Sequence, residues 1–144
     1  MTGMETVVFP DVESGLLDGL KGRFAELADG DGPVDYHVGA DVPRAGARPT
    51  LMERLPFVRV QILSGSDNFF SDFPTVSIDV FGATRSATYP LAEAIRAWLL
   101  AAPLVAGGVA IDSATTRSRP AWLPWEGDNV RRRGATYELS VRRR

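Results

Sequence analysis

The chain has 144 residues, 44% of them hydrophobic and 24% charged, with a formal net charge of −2 and no cysteine. These values fit one soluble globular domain able to bury roughly 70% of its unfolded surface. They exclude a disulfide framework, a thiolate metal site and a cysteine nucleophile. The opening residues, MTGMETVVFPDVESG, carry acids and no long apolar core, so they do not read as a secretory signal, and synthesis in a cytoplasm is expected.

In chain order, the first element is a helix. Asp11 is placed to cap it, and Val12, Leu16, Leu17, Leu20, Phe24 and Leu27 recur at helical spacing until Gly30 and Gly32 end the run. Gly15, Gly19 and Gly22 each cost about 1 kcal/mol relative to alanine inside a helix, so packing rather than propensity must hold it. Residues 34–38 (VDYHV) read as a short strand. Residues 39–56 hold three prolines and two glycines without a clean period and read as a long loop, expected to be poorly ordered in the free protein. Residues 57–63 (FVRVQIL) and 75–82 (TVSIDVFG) read as strands of a hairpin, joined by a turn-rich connector with Phe69, Phe70 and Phe73. In the second strand Val76, Ile78 and Val80 face one side, Ser77 and Asp79 the other.

A second helix is predicted over residues 86–101, with Pro90 near its first turn and Leu91, Ile95, Trp98 and Leu99 on its apolar face; Ile95, Trp98 and Leu99 are expected to pack on Val76, Ile78 and Val80. Residues 97–111 are uncharged but too short to span a bilayer, and Pro103, Gly107 and Gly108 interrupt them. Residues 108–116 read as a strand, 117–131 as a proline-rich loop carrying Trp122 and Trp125, and 135–142 as the last strand. The expected fold is therefore α+β, a single domain over residues 1–144, with a mostly antiparallel sheet of about five strands and two main helices packed on one face.

Chemistry is sparse. The one histidine, His37, sits in a strand, and no serine lies in a nucleophile-elbow pattern. Asp67 and Asp72 flank NFFS without the dense oxygen ligation that calcium requires. No Walker or GxGxxG pattern is present. Neither catalysis, nor a cofactor, nor a metal is expected. Charge is unevenly spread: residues 1–53 carry ten acids against four bases, and residues 114–144 carry eight arginines against three acids. The closing RRRGATYELSVRRR alternates like a strand, so its arginine clusters are strand ends about 17–20 Å apart for a strand of usual length, not a disordered nucleic-acid arm.

The stretches TVSIDVFGATRSATYPLAEAIRAWLL and GVAIDSATTRSRPAWLPWEGDNVRRRGATYELSVRR, with LLDGLKGRF and a proline-bearing loop ahead of them, resemble the tail terminator proteins of long-tailed (siphovirus-type) bacteriophages, particularly those of actinobacterial hosts. The resemblance runs over nearly the whole chain and is carried by order and spacing: alternating strand, Gly–Ala–Thr turn, amphipathic helix, strand, proline–tryptophan loop, arginine-led final strand. It implies a non-enzymatic virion protein of the tail neck. Such a protein forms a hexameric ring that caps the major tail tube protein, ends tube polymerisation and offers a docking surface to the head-closure or connector protein. Genome DNA passes through such a ring without specific binding, and no membrane is involved. Another head–tail joining (head-closure or connector) protein, or a nucleic-acid-binding module, is the alternative. Candidate subunit or tube contacts are Arg131, Arg132, Arg133, Trp122, Trp125, Phe69, Phe70, Arg44 and Arg48, with Asp11, Glu13, Asp29 and Asp31 as candidate carboxylate partners of the arginines.

Overall fold

A computed structural model describes residues 9–21, 23–24, 36–44, 46–125 and 130–143. The described elements are α1 (Val12–Leu20), β1 (His37–Gly39), a single 3₁₀ turn (Met52–Arg54), β2 (Phe57–Asp67), β3 (Ser71–Gly82), α2 (Arg85–Leu100), β4 (Leu104–Ala106), β5 (Val109–Leu123) and β6 (Arg131–Arg142). The strands form one six-stranded sheet in the order β1-β2-β3-β6-β5-β4. Only β1 runs parallel to its neighbour. The α+β architecture is as expected, with one more strand than the sequence suggested. The extra strand is β4, whose three residues are too few to show a period.

Both helices share one core with the sheet. Leu16 and Leu20 of α1 and Leu91, Ile95 and Leu99 of α2 join Val58, Val60, Val76, Ile78, Val80, Tyr137, Leu139 and Val141 in a single buried cluster. The expected packing of the α2 stripe on Val76, Ile78 and Val80 lies within it, while Trp98 sits at its margin, edge-on to Phe24 at 6.3 Å. Burying all of these apolar faces on one side of the sheet is the main stabilising term, at roughly 25 cal/mol per Å² of apolar surface removed from water.

Helix α1 is shorter than its hydrophobic period implied. Asp11 accepts from Ser14 N at 3.1 Å as the N-cap. The helix ends at Leu20, where the Tyr36 hydroxyl donates to Leu20 O and accepts from Phe24 N. Leu27, Gly30, Val34 and Asp35 lie outside the described residues. The unfavourable glycines have a packing reason. A Cβ on Gly15 would overlap Val109 Cγ2 and Ala106 O, and one on Gly19 would crowd Ala106 and Trp98. Glycine at these two positions lets α1 lie directly on the β4–β5 hairpin. That hairpin turns through Gly107 and Gly108, at φ of 53° and 80°, the left-handed pair that a two-residue primed turn demands.

Three sequence expectations are corrected. The connector after residue 63 is strand rather than loop: β2 and β3 continue to Asp67 and back from Ser71, closed by Asn68 Oδ1 accepting from Phe70 N and Ser71 N at 2.8 Å each. The proline-rich segment after residue 116 is also largely strand, since β5 reaches Leu123, and Trp122 is paired with Arg133. Register shifts between Thr116 and Ser118 and between Ser118 and Ala121 let Pro120 sit within it. Pro90 stands in the second turn of α2, not the first, because Thr84 caps the helix through Ala87 N at 3.1 Å.

Candidate interface surfaces

Ser77 and Asp79 lie on the face of the sheet opposite Val76, Ile78 and Val80, as the alternation of β3 predicts. Both are buried, and Asp79 is only 1% exposed. It lies between two cations. Arg59 Nη2 and Nε donate to Asp79 Oδ2 at 2.7 and 3.1 Å, and Arg132 Nε donates to Oδ1 at 3.0 Å. The register makes this possible: Arg59, Asp79 and Gly134 are cross-strand neighbours on β2, β3 and β6. A Cβ at 134 would overlap Asp79 Oδ1 and Leu123 Cδ1, so the glycine interrupting the final arginine run makes room for the buried carboxylate.

Beside this triad is a second small core. Phe57, Phe81 and Val130 are buried against Val42, Leu51, Leu55 and Trp125. Trp125 meets Phe81 edge-on at 4.7 Å, with Arg59 and Arg132 over its ring at 5.6 and 5.9 Å. Part of the long 39–56 segment thus folds over the open face through Val42, Leu51 and Leu55. Arg44 is exposed there, and Arg48 is in an exposed ion pair with Glu53 at 3.7 Å. Trp125 packs on the chain's own core.

The three consecutive arginines are separated by strand alternation. Arg132 faces the open side and joins Asp79. Arg133 faces the helices, where its Nε donates to Thr88 Oγ1 at 3.2 Å and its guanidinium lies 5.3 Å from the centre of the Tyr89 ring. Arg131 lies over Trp122 at 5.8 Å, on the ring that also carries Arg85 at 4.3 Å. Trp122, Tyr89 and Thr88 therefore form a shelf for Arg85, Arg131 and Arg133. Among the described residues, no carboxylate lies within ion-pair distance of Arg85 or Arg133. Of the candidate partners in the first third, Asp11 caps α1, Glu13 lies in its first turn, and Asp29 and Asp31 lie outside the described residues.

At the opposite end of the sheet the turn end of the β2–β3 hairpin is exposed. Leu63, Phe69 and Phe70 are 56%, 51% and 69% exposed, and Ile62 is also exposed. Phe69 and Phe70 are in edge contact at 5.3 Å, with Arg143 over Phe69 at 4.3 Å. β1 covers only Phe57, Val58 and Arg59 of β2, so residues 60–67 have no strand on their outer side among the described residues. Asp67 and Asp72 are cross-strand neighbours here. Burial, and secondarily the Asp67 charge, push the Asp72 carboxyl above the ordinary aspartate value.

A groove of about 610 Å³ on the open face is lined by Ser64, Ser66, Thr75, Thr115, Arg117 and Glu138 among others. Arg117 and Glu138 pair across it at 3.4 Å. Its hydroxyls have no imidazole beside them. His37 is exposed elsewhere, its Nδ1–H donating to Arg54 O at 3.1 Å. Among the described residues no group of three or more His, Asp or Glu side chains is arranged to hold a metal, and no helix is long and apolar enough to cross a membrane. No protein-family model matches the chain, and no curated protein matches it significantly.

The sequence singled out Phe69, Phe70, Trp122 and the arginines. It missed Asp79, Arg59, Arg85 and the uncovered β2 edge. The one available signal for Asp79 was a carboxylate at the centre of the most apolar strand, where an unpaired charge would be prohibitive.

Proposed function

We infer that this chain is an assembly protein of the tail-terminator kind: a ring of copies that caps the tail tube of a long-tailed phage, stops tube growth and presents a surface to the head connector. The reading starts from the order and spacing of the sequence elements. The observation that carries it is the β2–β3 arm, where Ile62, Leu63, Phe69 and Phe70 are exposed beside an uncovered strand edge. Exposed apolar side chains clustered at a hairpin end suit contact with another protein. An edge strand left without lysine or proline is an invitation to partner pairing.

A ring requires a heterologous contact, in which one surface of a copy meets a different surface of the next. The arm and the arginine shelf lie at opposite ends of the sheet, so one chain presents two chemically distinct surfaces for contacts of this kind. The test is to polymerise tail tube protein with and without the purified chain, reading tube length by electron microscopy and the cap's stoichiometry by native mass spectrometry. Six copies at one tube end, with growth arrested, is the expected result. Tubes that lengthen unchanged in saturating chain would overturn the reading.

A further inference from the structure

We propose that the shelf of Arg85, Arg131 and Arg133 on Trp122 and Tyr89 is the docking face for the acidic first third of a second copy of this chain. The inference rests on the assembly reading and assigns it a contact. Three guanidinium groups converge on one end of the sheet. Neither Arg85 nor Arg133 has a carboxylate within ion-pair distance among the described residues. The neighbouring Asp79 does not serve this side: it is buried on the opposite face and already accepts from Arg59 and Arg132.

The arginines are also held. Arg85 lies 4.3 Å above the Trp122 ring, and Arg133 is fixed between Thr88 Oγ1 and the Tyr89 ring. A guanidinium stacked on an aromatic face keeps its edge donors free for a carboxylate, and it loses little side-chain freedom when one arrives. The shelf is thus preorganised for anionic oxygen.

Charge complementarity selects the occupant. The first 53 residues carry ten acids against four bases, whereas residues 114–144 carry eight arginines against three acids. The chain is close to neutral overall, yet one part of it is suited to attract the other part of its neighbour. Such attraction between unlike surfaces is heterologous, the kind of contact that closes rings.

The experiment compares the full-length wild type with Arg85→Glu/Arg133→Glu and with Arg85→Gln/Arg133→Gln. Mass is read by light scattering over a range of concentration and salt, and folding by thermal melting. Wild type should associate, and salt should weaken that association. The glutamate variant should be monomeric with melting intact, and the glutamine variant should fall between. In parallel, Ala83→Cys, the only thiol in the chain, is labelled with a benzophenone maleimide beside the shelf. Photocross-links should reach residues 1–53 of another copy. Association unchanged in a folded glutamate variant, cross-links confined to one chain or landing elsewhere, or a wild type that is monomeric throughout would each overturn the proposal. So would salt-sensitive binding of a DNA duplex lost in the glutamate variant while self-association persists, which would mark the shelf as a polyanion surface. Failure of the function reading looks different: arginine-dependent association would remain, with tube length unaffected.

Discussion

Asp79 shows how one residue sets the cost of error in this chain. Its carboxylate is buried and shared by two guanidinium groups, so removing it leaves two partly buried cations without their counter-charge. Breaking a buried pair from one side typically costs about 3–5 kcal/mol, and Asp79→Ala should lower stability by that order in a denaturant titration. A change below about 1 kcal/mol, the range of exposed pairs, would show that solvent reaches the triad. Asp72 is the opposite case. Its folded carboxyl titrates above the ordinary aspartate value because of burial and Asp67, so the folded state holds its proton more tightly than the unfolded state does. Stability from that group is present at low pH and is lost as pH rises through the folded value. Asp72→Asn should therefore raise the melting temperature at neutral pH, with the gain disappearing below the aspartate range. A variant equally destabilised at all pH values would contradict the sign.

At the scale of elements, close approach and edge exposure matter most. Helix α1 rests on β4–β5 through Gly15, where a methyl group would meet the backbone oxygen of Ala106 as well as Val109. Gly15→Ala recovers about 1 kcal/mol of helix propensity but overpacks a site whose neighbour is backbone, at about 1–3 kcal/mol. The net effect expected in thermal melting is destabilisation. A more stable variant would mean that α1 lifts off without cost. The β2–β3 arm makes the converse prediction. Phe69 and Phe70 are exposed and do not belong to the buried core. Phe69→Ser/Phe70→Ser should leave melting within about 0.5 kcal/mol of wild type, as surface changes do, while reducing capped tubes in the polymerisation assay. Normal capping by the double variant would remove the arm from the interface.

For the molecule as a whole, one core holds both helices to one sheet, with α1 reaching β1 and β2 at one side and β4 and β5 at the other. Ile78 sits in the middle of that core. Ile78→Ala should cost about 2–5 kcal/mol, and an unchanged melting temperature would refute the shared core. Much of this architecture is legible in the linear sequence. The 3.6-residue stripe of α2, the alternation of β3 and β6 and the capping Asp11 are local signals, because each arises within one turn or one strand. The arms of the hairpin and the continuation of β5 were not legible. Serine, glycine, aspartate and proline, whose own propensities favour turns, punctuate both segments, which become strand only by pairing with neighbours distant in sequence. The same distinction governs the arginines. The sequence by itself determined that Arg131, Arg132 and Arg133 stand at the opening end of the final strand. Only the tertiary structure decided that Arg132 is committed to Asp79, which also accepts from Arg59, while Arg133 joins Arg85 on an aromatic shelf, because cross-strand register and helix placement bring together residues that no local pattern connects.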